Sequence, residues 1–154
     1  MKRRTFLKGS LAGGAVAVAV GAGLLTPQAV LAAWPKAAFE AKSVSDALKG
    51  LAGTDATTAS GDIKIKAPDI AENGAVVPIS VTTGLGNLES ISVIAEKNGT
   101  PLAASFNLGA NTEGYVSTRI KLGKTSKVIA VVKSGGTMYS AEKDVKVTIG
   151  GCGG

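Results

Sequence analysis

The amino-acid sequence predicts an all-β domain: an immunoglobulin-like antiparallel β-sandwich of about seven strands, with a short N-terminal helix before it and a flexible Gly-Gly-Cys-Gly-Gly arm behind it. Three observations point there. From Ile63 onward, apolar residues recur at every second position in a series of short segments, the period of a strand with one buried face. Glycine and asparagine turn signals separate those segments. One segment, Val128–Val132, is apolar throughout, as expected of a strand covered on both faces.

The elements follow in order. Between Pro35 and Leu51, the residues Phe39, Val44, Ala47, Leu48 and Leu51 fall near one face of a helix. Ser43, with Asp46 three residues later, is placed to cap its second half. Such a face either packs onto the domain body or receives a partner. The stretch from Gly50 to Gly61 is small and polar and breaks the helix. Ile63 and Ile65 then alternate with Asp62, Lys64 and Lys66, and Val77, Ile79 and Val81 alternate with Pro78, Ser80 and Thr82. Pro78 suits an edge strand or a bulge, because it donates no ladder hydrogen bond. Ile91, Val93 and Ala95 follow, then Leu102, Ala104, Phe106 and Leu108, then Val116, Thr118, Ile120 and Leu122. After Val128–Val132 the last strand is predicted over Lys143–Ile149. Turns are expected at Glu72-Asn73-Gly74, Gly84–Asn87, Asn98-Gly99-Thr100, Leu122-Gly123 and Ser134-Gly135-Gly136.

Residues 1–32 read as an export signal. Lys2, Arg3, Arg4 and Lys8 supply a basic start, Leu11–Leu25 is uncharged, and Val30-Leu31-Ala32 offers a cleavage site. The apolar run is shorter than the roughly 20 residues a transmembrane helix needs, and it carries five glycines between Gly9 and Gly23, so stable membrane anchoring is not expected. Arg3-Arg4-Thr5-Phe6-Leu7-Lys8 resembles the twin-arginine signal, which implies periplasmic delivery of an already folded protein. Residues 33–149 are then the domain and residues 150–154 the arm.

The leader also accounts for most of the net charge of +6. Without it, thirteen Lys and Arg face eleven Asp and Glu, a net of +2, interspersed as on a solvated surface. No nucleic-acid partner is expected. The 154-residue chain has no histidine and one cysteine. That excludes Ser-His-Asp and Cys-His catalysis, the usual zinc sites, an internal disulfide and a cysteine-ligated cluster. No metal, no cofactor and no catalytic residues are expected. Glu72, Glu89, Glu96, Glu113 and Glu142 read as solvated charges at strand ends rather than as a paired-carboxylate site.

The chemistry therefore falls on Cys152, flanked symmetrically by Gly150, Gly151, Gly153 and Gly154. Glycine lacks Cβ, so this segment is expected to be slender and mobile, with an extended reach of roughly 17 Å for five residues. No base or cation in the tail would activate the thiol, so its pKa is expected near the ordinary value of about 8.5. This is a poor catalyst and a good handle for another protein's active site. Prenylation is excluded, because only two residues follow the cysteine.

The ending Val145-Lys146-Val147-Thr148-Ile149-Gly150-Gly151-Cys152-Gly153-Gly154 resembles that of the SoxY family, the sulfur-carrier subunits of the bacterial thiosulfate-oxidising (Sox) system. The segment Pro68–Pro78 is similar to the family's first strand region, and the twin-arginine leader fits as well. The resemblance implies an immunoglobulin-like partner, SoxZ, exported as a heterodimer with this chain. It implies that Cys152 is the covalent attachment point. A SoxAX-like haem enzyme would join thiosulfate to it oxidatively, and a SoxB-like dimanganese hydrolase would release sulfate and leave a persulfide. A SoxCD-like molybdenum–haem dehydrogenase, where present, would oxidise the remaining sulfane sulfur.

Two other readings stand beside it. One is an exported β-sandwich binding or structural module whose Cys152 forms an intermolecular disulfide. The other is a ubiquitin-like carrier holding sulfur as a thiocarboxylate on Gly154; those proteins are cytosolic and have no leader, which argues against it here.

Overall fold

The computed structural model describes residues 35–148. Among them are two helices, α1 (Lys36–Glu40) and α2 (Val44–Ala52), and nine strands. The strands are β1 (Thr58–Ala59), β2 (Ile63–Lys66), β3 (Ile70–Ala71), β4 (Val77–Thr83), β5 (Leu88–Ala95), β6 (Leu102–Asn107), β7 (Tyr115–Ile120), β8 (Ser126–Ser134) and β9 (Thr137–Val147). The all-β expectation holds. The seven predicted strands are β2 and β4–β9, and the two additional ones, β1 and β3, are two residues long.

Six strands form the larger sheet, in the order β1-β9-β8-β5-β6 with β3 also on β9. The smaller sheet has the order β2-β4-β7. All neighbours are antiparallel except β1 and β3, which both pair in parallel with β9. The purely antiparallel expectation is corrected at those two places. Each addition covers part of an edge that would otherwise present unpaired backbone groups. β9 is also longer than predicted, starting at Thr137 instead of Lys143. It is joined to β8 by a two-residue turn with φ of 54° at Gly135 and 80° at Gly136. Positive φ at both central residues is the hairpin geometry that matches strand twist, and only glycine adopts it freely.

The core lies between the sheets. Ile91, Val93, Val128, Ala130, Val132 and Val145 of the larger sheet meet Ile63, Val77, Ile79, Val81, Val116 and Ile120 of the smaller. Pro78 is in the middle strand of its sheet, against the edge-strand expectation. It pairs with Arg119 of β7, whereas β2 pairing stops at Ser80, so one flank of Pro78 has no ladder to disrupt.

The helices cover the outer face of the larger sheet. Ala38, Ala47 and Leu48 pack with Ile94, Leu102, Val131 and Met138. The second face of β8 is thereby buried, as its continuous apolar run required. α1 ends at its C-cap Ala41, and Ser43 caps the start of α2: its side chain accepts a hydrogen bond from the Asp46 amide at 3.1 Å. Phe39, Val44 and Leu51 pack against the same cluster, so the helical face serves the body of the domain.

Candidate functional site

The residues singled out for chemistry and export lie outside the described residues: Cys152, Gly150, Gly151, Gly153 and Gly154 at one end, Arg3 and Arg4 at the other. What the structure provides is the platform that leads to Cys152. β9 ends at Val147, and Thr148 is the last described residue, four positions before the thiol.

That platform is held from three sides. Val145 is fully buried in the sandwich core and fixes the strand two residues before its end. On the open edge, β3 lies parallel in the register Ile70↔Lys146 and Ala71↔Val147. The Lys146 amide donates to the Asp69 carbonyl at 2.9 Å, and the Thr148 amide donates to the Ala71 carbonyl at 3.3 Å. An ion pair of 2.8 Å between Lys143 and Asp69 reinforces the same contact. The Lys143 hydrogen bond and charge hold the Asp69 carboxyl below its ordinary pKa. On the third side, the Val147 amide donates to the Thr125 hydroxyl at 3.0 Å.

Thr125 belongs to the β7–β8 loop, which is itself braced. The Asn98 side chain donates to the Lys121 carbonyl at 2.7 Å and accepts from the Gly123 amide at 3.1 Å. Gly74 closes the arrangement from beneath. Its carbonyl accepts from the Leu122 amide at 2.7 Å. A Cβ there would collide with the Leu122 carbonyl oxygen and lie 2.9 Å from Val147 Cγ1.

The sequence pointed to the thiol and its glycines, which lie outside the described residues, but not to these supports. Asn98-Gly99 and Asn73-Gly74 were legible only as turns. Thr125 and Asp69 carry no motif, because their role comes from contacts with residues 22 and 74 positions away.

Among the described residues, no group of three or more Cys, Asp or Glu is placed to hold a metal ion. A hollow of about 540 Å³ lies at the other end of the sandwich, lined by Leu85–Glu89, Gly109–Thr112 and Gly135. Its one charged residue, Glu89, is already engaged by Lys133 and the Gly136 amide, each at 2.8 Å. No described helix is long and apolar enough to cross a membrane.

The family described as sulfur oxidation protein SoxY matches residues 48–152, a span that opens in α2 and closes on Cys152. The chain belongs to the SoxY family. Among solved structures, it is similar to the sulfur carrier protein SoxY from Chlorobium limicola f thiosulfatophilum, at 40% identity and a TM-score of 0.62, over 68% of this chain and 94% of that one. A superoxide reductase (neelaredoxin) from Ignicoccus hospitalis shares the fold alone, at 19% identity and a TM-score of 0.50, over 60% of this chain and 81% of that one. Comparison with curated protein sequences gave no match. Membership of a sulfur-oxidation carrier family agrees with a chain whose single thiol follows directly from a firmly seated last strand.

Proposed function

We propose that this SoxY-family chain is a periplasmic carrier that holds thiosulfate-derived intermediates covalently on Cys152. It would present them to Sox enzymes without catalysing the steps itself. The observation that carries the reading is the family match, which runs to residue 152 and so takes in the only cysteine of the chain. The seating of β9 supports it: a cargo passed between enzymes needs a fixed base and a slender reach, and the four glycines around Cys152 add no side chains beside the thiol.

The chemistry balances with the thiol as a handle. A thiolate and thiosulfate lose two electrons to a haem enzyme and form a sulfur–sulfur bond, giving a cysteine S-thiosulfonate. Hydrolysis of the terminal sulfur–sulfur bond by water then releases sulfate and two protons and leaves a cysteine persulfide. Neither step asks for a group on the carrier other than sulfur. The haem and metal chemistry belongs to the SoxAX-, SoxB- and SoxCD-like partners. Delivery by the twin-arginine route, signalled by Arg3 and Arg4, suits a chain that crosses the membrane folded and bound to a SoxZ-like subunit.

Intact-mass spectrometry on protein from thiosulfate-grown cells tests the proposal. The expected result is a set of sulfur-bearing adducts on Cys152 that a thiol reductant removes, together with loss of thiosulfate oxidation in Cys152→Ser. Unmodified thiol throughout, with Cys152→Ser still supporting growth on thiosulfate, sinks it. A mass corresponding only to a disulfide-linked dimer would favour the tethering module instead.

A further inference from the structure

Asparagine followed by glycine is a chemically labile pair. The glycine's backbone nitrogen attacks the carbonyl carbon of the asparagine side chain, a carbon–nitrogen bond closes a five-membered imide, and ammonia leaves. Water then opens the imide to give aspartate or its β-linked isomer. Glycine has no Cβ to hinder the approach, and neither step needs an enzyme, a cofactor or an oxidant. The chain contains two such pairs, Asn73-Gly74 and Asn98-Gly99, and both grip the loop between β7 and β8. Gly74 does so through its backbone: its carbonyl accepts from the Leu122 amide at 2.7 Å. Asn98 does so through its side chain, which donates to the Lys121 carbonyl at 2.7 Å and accepts from the Gly123 amide at 3.1 Å.

The two pairs are held against reaction differently. Gly74 is buried, and so closely packed that a Cβ would collide with the Leu122 carbonyl oxygen. Its nitrogen cannot turn toward Asn73 while the sandwich is folded. Gly99 is exposed, and a Cβ on it would meet nothing within 4 Å, so packing does not restrain its nitrogen. The restraint at Asn98 is the pair of hydrogen bonds on its carboxamide. Both break when residues 121–123 swing away, a local opening that leaves the core intact.

Conversion changes what can close again. A carboxylate still accepts from the Gly123 amide, but it has no N–H for the Lys121 carbonyl and sets a charged oxygen against it. The β-linked product also inserts a methylene into the main chain. We propose that Asn98 is a self-modifying latch on the β7–β8 loop: it deamidates spontaneously, at a rate set by how often the loop opens, and the product holds the loop less firmly. Because the same loop carries Thr125, which binds the Val147 amide, ageing at Asn98 loosens the end of β9. The inference rests on the loop alone and stands whatever Cys152 carries.

The test incubates the purified full-length chain in mildly alkaline buffer and follows residues 73 and 98 by peptide-mapping mass spectrometry. Asn98 is expected to convert in the folded protein, roughly tenfold or more slowly than in guanidinium chloride, because two hydrogen bonds must first open. Asn73 should convert at a comparable rate in denaturant and lag behind Asn98 in the folded protein. Gly99→Ala should slow conversion at Asn98 by about tenfold in either medium, with an unchanged circular dichroism spectrum. Asn98→Asp should speed hydrogen exchange at the Gly123 and Val147 amides by about tenfold and leave Val93 unchanged. Aged native protein should acquire the same exchange pattern, and aged Gly99→Ala should not. Equal rates at Asn98 in folded and denatured protein overturn the latch. So does an Asn98 that stays intact in the folded protein, conversion of Asn73 ahead of it, or native exchange at Gly123 in folded Asn98→Asp.

Discussion

Thr125 and Val147 are joined in both directions. The Val147 amide donates to the Thr125 hydroxyl at 3.0 Å, and that hydroxyl donates back to the Val147 carbonyl at 3.4 Å. A loop residue thus stands in for a neighbouring strand at the last turn of the ladder before the cysteine arm. Thr125→Val keeps the shape and removes both bonds. Because Thr125 is exposed, water replaces part of what is lost, and global stability is expected to fall by no more than about 1 kcal/mol. Hydrogen exchange at the Val147 amide should accelerate distinctly more than at Val145. Equal protection of Val147 in the variant and the native protein would mean that β3 alone seats the strand.

The contact between Asp69 and Lys143 makes the same seat sensitive to acid. The Lys143 side chain holds the Asp69 carboxyl below its ordinary pKa. A depressed carboxyl pKa contributes stability above the unfolded value and loses it as pH falls through the folded one. The tie is therefore intact at neutral pH and begins to weaken below about pH 4, the ordinary range of an aspartate. Exchange at Lys146 and Thr148, corrected for its intrinsic rate, should speed up across that window. In Asp69→Asn it should already be faster at neutral pH and show no further change. An unaltered pH profile in the variant would remove the ion pair from the account.

Gly74→Ala tests how closely the turn before β4 must approach. The added methyl meets the Leu122 carbonyl and Val147 Cγ1, and a backbone oxygen cannot rotate away as a side chain can. A cost of about 1–3 kcal/mol is expected in denaturant titrations. The same change at Gly99, whose Cβ would meet nothing within 4 Å, should cost less than about 0.5 kcal/mol. Comparable stabilities for the two variants would show that the turn can shift away.

The helical layer gives a prediction about the other face of β5. Ile94 is fully buried between the larger sheet and α2, and does not belong to the inter-sheet core. Ile94→Ala is expected to cost about 2–5 kcal/mol, as other large-to-small core changes do. Part of that loss should appear as early release of the helices, seen as faster exchange at the Leu48 amide. A cooperative transition with unchanged relative protection of α2 would show instead that the helices unfold only with the sandwich.

What could be read beforehand follows from physical reach. β4 and β7 bury one face and expose the other, so each writes a period of two that needs no knowledge of its neighbours. The first half of β9 does not: Met138 packs under the helices, while Tyr139 and Ala141 pack on the opposite face toward the core. With both faces partly covered, the alternation fades. β1 and β3 are too short to carry any period, and their parallel partners lie about 80 residues away. The site divides in the same manner. Its proposed reactive atom, the Cys152 sulfur, was singled out because the chain contains one cysteine. Its supports, Asp69, Asn98 and Thr125, acquire their role only when distant loops meet.

The seating of β9 makes the length of the arm a quantity that matters. If the body stops against an enzyme's rim, the thiol must span a set distance to reach the reacting centre. Deleting Gly150 and Gly151 shortens the extended reach by about 7 Å. Misplacement of a reacting atom by far less can cost about a hundredfold in rate, so hydrolase turnover of the S-thiosulfonated variant should fall at least that much. Gly150→Ser/Gly151→Ser keeps the length and adds only small side chains; it should recover most of the activity. Alkylation of Cys152 by iodoacetamide should be alike in the deletion, the serine variant and the native protein, because none of these changes places a charge beside the thiol. Native turnover by the deletion variant would show that the enzyme draws near the arm without meeting the body, and would count against the seat of β9 as a fixed base.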